Sequence, residues 1–503
     1  MYNKQQTLPP PHPRRAPEYP APVSEQALGD IFAACGDFES RRIDFGLDGS
    51  LTLSVCWLDG LVSGSEVTED VLRPLTQAAR AGGADSEEAC MERILRGGVY
   101  RYSVHLRQDL DSLISDLTHG HCAIVFARSQ AALTFELRSN AGRAVSEPTL
   151  EKSLKGAKDS FVETLRINTA LVRRRICSPK LKLAESTVGR KTNTRVAVLF
   201  VEGVAAPDTV TELIRRLSRI DVDALLSVGS LEEALVDAPL SPYPQLLHTE
   251  RPDRFAMHLM DGRVGLLIDG LPVGLVLPVT FAEYMKVTGD SSMHFTIATL
   301  LTLLRYLALA LSALLPAFYV AVAMYHQEMI PTRLLLSVIE AEQNVPFSTA
   351  LEVLGMLAAF SLLQEAGLRL PNPIGDTVSI IGALIVGQAA VEARVVSPIA
   401  IIVVAISGIA CYTLPSQDLG FAVRLTRLGL LLAAIAGGLF GVGVGCCLLL
   451  LHLGDLDSFG INYTAPLSDG QPFGMLRLLL RLPKHWDKFR DPLLRTPDQR
   501  RQT

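Results

Sequence analysis

The last third of the chain decides what it can fold into. From Thr296 to Leu453 the sequence is mostly Leu, Ala, Ile, Val and Gly, broken at intervals by Pro and charge. Tyr306 to Ala323, YLALALSALLPAFYVAVA, carries no charged residue. A helix of about 20 apolar residues spans a bilayer core, and extension through Met324 comes close to that. Leu428 to Leu453 and Pro398 to Leu414 are further runs of this kind. A soluble domain would have to bury all of them, and little else in the chain could cover them. Residues 291–467 therefore read as a polytopic helical membrane domain of about four spans plus interfacial or re-entrant helices. The expected fold class is an α/β two-lobed soluble N-terminal domain followed by an all-α polytopic membrane domain.

Residues 1–290 have the charge pattern of an ordinary globular protein. The net charge of −5 argues against a dedicated nucleic-acid binder. Met1 to Val23 is polar and Pro-rich and lacks the apolar core of a secretory signal. The leader, 1–24, is expected to be disordered, and the first membrane helix to act as its own insertion signal. The eight cysteines form no CxxC pair, which suits a reducing compartment and buried apolar roles.

From Glu25 the chain is α/β. Leu51–Leu58 alternates like a strand, Asp59-Gly60 turns, and Ser65–Ala79 reads as a helix. Leu110–Leu117 reads as a helix, His119-Gly120 turns, and Cys122–Phe126 pairs with Ala132–Leu137. The plan then recurs. Val196–Val201 is a strand, Glu202-Gly203 takes the place of Asp59-Gly60, and Asp208–Leu217 is a helix. Gly262 to Ile268 aligns with Gly120 to Phe126, and Arg263–Asp269 with Leu271–Leu277 forms a hairpin. Two related subdomains, 25–150 and 190–290, are expected, with a cleft between them suited to a small ligand.

The linker, 151–189, holds Phe161–Ile176 with apolar residues at helical spacing and Arg166, Arg173, Arg174 and Arg175 on the other faces. Such arginines fit an inter-lobe or subunit contact, phosphate or lipid headgroups, or a solvated helix face. Thr249 to Arg254, with Glu250, Arg251, Asp253 and Arg254 around Pro252, reads as a salt-bridged rigid turn in the same class of contact. Asp221–Pro244 reads as loop. Arg305 is placed to snorkel at the entry of the first span.

In the membrane half, Glu352, Asp376, Gln388 and Glu392 are polar or ionisable groups at membrane depth, where they normally face protein or water. Ile374–Ala393 also carries Gly375, Gly382 and Gly387, which permit close helix approach. These four polar residues are the candidate lumen or ion path, with an interfacial helix as the alternative for Ile374–Ala393. Gly437, Gly441 and Gly445 recur at a spacing that favours helix packing. The 468–503 tail is basic, so both ends are expected on the cytoplasmic side. The sequence has no Walker loop, GxSxG elbow, HExxH or paired CxxC. No catalytic residue, metal site or cofactor is expected.

The residues then carry a resemblance. Ser160-Phe161-Val162-Glu163, Arg173-Arg174-Arg175-Ile176, Thr187-Val188-Gly189-Arg190, Thr249–Arg254, the loop His326-Gln327-Glu328-Met329-Ile330-Pro331-Thr332, Glu365–Pro371, Gly387–Ala393 and Ala465-Pro466-Leu467 resemble the A subunit of bacterial spore germination receptors, the GerA family, which includes a stage V sporulation protein. The resemblance implies a multi-pass protein of the spore inner membrane. It implies a permease-like B subunit and a lipoprotein C subunit as partners, contact with membrane lipid, self-association into a ring, and cation conduction on a nutrient signal. A non-conducting scaffold or an auxiliary sporulation channel is the alternative. The chain departs from the family at Leu357, Ser361 and Arg333, where acidic residues are usual.

Overall fold

The computed structural model describes residues 18–45, 51–80, 86–99, 103–139, 148, 151, 155–343, 345–369, 387–467, 479–481 and 483–501. Asp376, most of Ile374–Ala393, and residues 1–17 of the leader lie outside them.

Lobe 1 is built on strands β1 (Phe38–Asp44), β2 (Thr52–Leu58), β3 (Val104–Arg107), β4 (His121–Phe126) and β5 (Ala131–Glu136). Lobe 2 is built on β6 (Leu181–Val188), β7 (Thr194–Val201), β8 (Leu247–Thr249), β9 (Val264–Ile268) and β10 (Gly274–Leu277). The two sheets have the same order, β1-β2-β4-β5-β3 and β6-β7-β9-β10-β8. The turns that the repeat predicts match as well. Gly60 and Gly203 end the second strand of each lobe, Gly120 and Gly262 precede the fourth, and all four have positive φ, a region costly for a side chain with Cβ.

Burial follows the two-residue period of a strand. On β7, Val196 and Val198 face helices α4 (Pro207–Arg219) and α5 (Val228–Leu235), while Ala197 and Leu199 face the opposite core. Helix α5, begun by a Ser227 cap, lies within the stretch read as loop. The opposite core is closed by α3 (Leu165–Arg173) and α6 (Pro252–Asp261). Gly265 and Gly274 leave room there for Phe255, whose ring meets Phe161 edge-on at 5.4 Å. Thr249–Arg254 is thus the end of β8 and the start of α6, with Pro252 in the first helical turn, and not an isolated turn. In lobe 1, α1 (Glu25–Ile31) and α2 (Leu110–Thr118) pack on the sheet.

The apolar third forms helices α7 (Phe295–Tyr325), α8 (Thr332–Gln343), α9 (Thr349–Arg369), α10 (Pro398–Tyr412) and α11 (Gln417–Asp455). By length and composition, Phe295–Tyr325, Thr349–Ala366 and Gln417–Asp455 are each able to cross a membrane. The Arg305 guanidinium reaches back to the Asp290 carboxylate, ahead of α7, at 2.6 and 2.8 Å.

Helix α11 is not one straight span. Gly437 (φ −142°, ψ 18°) and Gly438 (φ 56°, ψ −140°) leave the helical region. A Cβ on Gly441 would lie 2.0 Å from the Ala433 carbonyl oxygen. In a straight helix those residues stand about 12 Å apart along the axis. Tyr243 and Ser241, two residues apart, reach Thr426 at 2.7 Å and His452 at 2.9 Å. The chain therefore doubles back at Gly437–Gly438 into two legs of about 17–20 residues, each about 25–30 Å long. The glycine spacing serves a reversal and not only packing between separate helices. Helix α7 lies against both legs, with Ala317 and Ala321 meeting Leu430, Ala434 and Val442. At the turn, the Tyr325 hydroxyl donates to the Ile435 carbonyl. The bundle thus begins and ends beside lobe 2, where Leu456 and Tyr463 join the lobe 2 core.

The described residues 483–501 of the basic tail contact lobe 2. Arg490, 7 % exposed, donates to the Met260, Asp498 and Arg500 carbonyls. Arg501 pairs with Asp261, and the Asp498 amide donates to Gly203 at 3.1 Å. The tail is fastened to lobe 2.

Candidate functional site

The described residues of the candidate site fall at three levels: between the lobes, between lobe 2 and the bundle, and in the bundle.

Between the lobes, α3 is a bolt. Arg173 is fully buried with Asp37. Its Nε and Nη2 donate to the two Asp37 oxygens at 2.9 and 2.7 Å, and Nη1 donates to the Leu181 carbonyl at 2.9 Å. Arg166 bridges Asp59 of lobe 1 (3.0 Å) and Glu185 of lobe 2 (3.1 Å). Arg174 donates to the Ser139 carbonyl at 2.6 Å, and Arg175 holds Asp159 at 2.6 Å. Main chain closes the same seam: the Gly36 amide donates to Leu183 at 2.8 Å, and the Leu183 amide to Ala34 at 3.1 Å. Side chains and main chain of the two lobes meet directly along this seam, and Arg173 lies on no solvated face. Once the chain has folded, its guanidinium is buried out of reach of an external phosphate. Sequence reasoning missed Asp37, because nothing local marks a partner 136 residues away.

Arg251 is likewise buried. It holds Asp253 through two hydrogen bonds at 3.0 and 2.7 Å, and donates to the Glu151 carbonyl. Arg254 pairs with the Glu151 carboxylate and reaches the Lys286 carbonyl. The Glu250 carbonyl accepts the Phe161 amide at 2.8 Å. This group ties the linker to lobe 2 and to the segment leading into α7.

Between lobe 2 and the bundle, His248 was not singled out by its sequence. It lies between Asp418 at the start of α11 (2.9 Å) and Glu232 of α5 (3.3 Å). Burial opposes its charge, but hydrogen bonds to Asp418 and Glu232 outweigh that cost and raise the imidazole to about 9. The folded value lies above the ordinary 6.5. The contribution to stability is therefore complete below pH 6.5, declines above it, and is gone once the pH passes about 9. Between pH 7 and 9.5 the melting temperature of the purified protein should fall more in wild type than in His248→Ala, by roughly 3 °C for about 1 kcal/mol lost. Equal slopes in the two proteins would remove His248 from this joint.

At the far end of α7, His326, Gln327, Glu328 and Pro331 form the loop into α8. Gln327 Nε2 caps the Ala323 carbonyl at 2.8 Å, and His326 Nδ1 lies 3.4 Å from Glu328. Glu328 is exposed, and among the described residues no group of three or more His, Cys, Asp and Glu side chains could hold a metal ion. Gln388 and Glu392, one turn apart, are both exposed on the helical residues 387–392 before Arg394. Glu352 of α9 is buried at 2 % exposure, and its Oε2 accepts the Ser397 amide at 2.8 Å. The structure does not bring Glu352 and the exposed pair into one described contact.

Comparison with known proteins gives a consistent result. The chain matches the family described as Bacillus/Clostridium GerA spore germination protein over residues 26–493. It is 34% identical to spore germination protein KA of Bacillus subtilis (strain 168), over 92% of this chain and 84% of that protein. It is 33% identical to spore germination protein GerLA of Bacillus cereus, over 94% and 95% respectively. It is 36% identical to an uncharacterized membrane protein of Bacillus subtilis (strain 168), YfkQ, over 91% and 88%. A solved structure similar to it is the N-terminal domain of the A subunit of the Bacillus megaterium spore germinant receptor GerK3. That match has 26% identity and a TM-score of 0.40, and covers 51% of this chain and 93% of that one.

Proposed function

The chain belongs to the GerA family of spore germination proteins, and from that premise we propose that it is the membrane-embedded A-type subunit of a nutrient-responsive germination receptor. Its role is signalling and cation conduction, not catalysis. The lobes and the tail lie in the cytosol, and the bundle is one segment of a ring of identical subunits in the spore inner membrane. A permease-like B subunit and a lipoprotein C subunit complete the complex.

One observation carries the reading: lobe 2 holds both legs of the α11 hairpin. Thr426 and His452 meet Tyr243 and Ser241, and Asp418 meets His248. A change in the lobes therefore has a direct physical route into apolar helices. A bundle of this size is too small to enclose a path by itself, so several copies around an axis supply the wall. Gln388 and Glu392, exposed on the single chain, are polar groups suited to a shared water-filled lumen.

The test is ion flux in proteoliposomes containing the purified protein. Wild type is expected to pass K⁺ or Na⁺, and Glu392→Gln with Gln388→Leu should lower the flux by at least about tenfold, the effect of roughly 1.4 kcal/mol on a barrier. Unchanged flux in both variants removes these residues from the path. Absence of flux in wild type, together with intact complex assembly, favours a non-conducting scaffold.

A further inference from the structure

The buried carboxylate of Glu352 has an unusual setting. It is 2 % exposed, inside a small apolar core made by Val353, Val396, Ala400 and Leu431. One oxygen, Oε2, is held by the Ser397 amide at the first turn of α10. The other oxygen, Oε1, has no hydrogen-bond donor among the described residues. No Lys or Arg among the described residues donates to it. The Tyr319 hydroxyl of α7 packs on the same core, approaches Ser397, and also has no partner. Glu342, whose Oε1 accepts from Thr349 at 2.8 Å, stands near enough to Glu352 to repel it.

A desolvated carboxylate without a counter-charge is strongly unfavourable. What the setting offers is two buried oxygens without partners, one from a carboxyl group and one from a phenol, with a second carboxyl group close by. Hard cations take such donors, and soft ones do not. We propose that Glu352 Oε1 and the Tyr319 hydroxyl are the protein ligands of a binding site for one monovalent cation, K⁺ or Na⁺. The ion ties α9 to α7 and to the start of α10. The site deepens the conducting role above and rests on that reading for its physiological meaning, but its occupancy can be measured without flux.

Full-length protein in detergent is titrated with KCl or NaCl against choline chloride at constant ionic strength, and thermal unfolding is followed. K⁺ or Na⁺ is expected to raise the melting temperature along a saturating curve that choline does not reproduce. Glu352→Gln should abolish the saturable rise. Tyr319→Phe should move its midpoint to at least about threefold higher ion concentration, the loss of one modest ligand contact. An ion-specific rise that persists unchanged in Glu352→Gln, or no ion-specific rise in wild type, overturns the site. Should Glu352→Gln fail to fold, an unchanged midpoint in Tyr319→Phe overturns it equally. Flux measured on the same preparations separates the two ideas. A conducting wild type without Glu352-dependent stabilisation discards the site and keeps conduction, and stabilisation without flux does the reverse.

Discussion

Arg173→Ala is expected to destabilise the protein by about 3–5 kcal/mol, because it leaves the Asp37 carboxylate buried without its partner. The melting temperature should fall by roughly 10 °C or more. Asp37→Ala should do comparable harm for the complementary reason. The double replacement Arg173→Met with Asp37→Leu should recover most of the loss, since two apolar groups of similar volume leave no orphaned charge. Surface ion pairs behave otherwise: Lys191 and Asp223 are both well exposed, and Lys191→Ala should change stability by under about 1 kcal/mol. The protein has two tryptophans, and Trp57 lies on β2 of lobe 1. In a Trp486→Phe background its fluorescence reports the unfolding of lobe 1, against whose core it packs. An Arg173→Ala protein that melts with wild type would show that the bidentate pair holds nothing together.

The second large effect is at the hairpin. Gly441→Val places a side chain where Ala433 presents backbone, and backbone cannot move aside as a flexible side chain would. The cost should be upwards of about 3 kcal/mol, read as loss of monodisperse protein on size exclusion. Geometry can be checked without relying on misfolding. Phe440 is 80 % exposed and next to the turn. With Cys446 and Cys447 replaced by Ser, Phe440→Cys should react with a membrane-impermeant maleimide added on the side opposite the lobes. If 428–453 were one straight span, residue 440 would sit at mid-depth and stay unreactive.

The sequence made the centre of each sheet visible and hid its rim. β2, β4, β5, β7, β9 and β10 could be read from alternation and turns, and all six are interior strands. The strands not read are β1, β3, β6 and β8, the four edges. An edge strand has one neighbour and less need to alternate. β1, Phe-Glu-Ser-Arg-Arg-Ile-Asp, leaves most of its side chains exposed. The repeat was legible because a glycine with positive φ stands at the same turns in both lobes, at Gly60 and Gly203 and at Gly120 and Gly262. The arginines of α3 were legible as a group, but their orientation was not. Helical spacing gives the angle of a residue around an axis. It does not say that a carboxylate 136 positions earlier will cover it. The reversal in α11 was illegible for a similar reason. An uninterrupted apolar run satisfies one tilted helix and two short ones equally well, and only contacts with Tyr243 and Ser241 distinguish them.

Those contacts have a mechanical result. Both feet of the α11 reversal are fastened to the same three-residue stretch, Ser241–Tyr243. Displacing either foot pulls on the segment that holds the other. Tilting lobe 2 swings the pair like tongs held at the handle, and over a reach of about 30 Å a few degrees at the grip become a sweep of ångströms at the glycine tip.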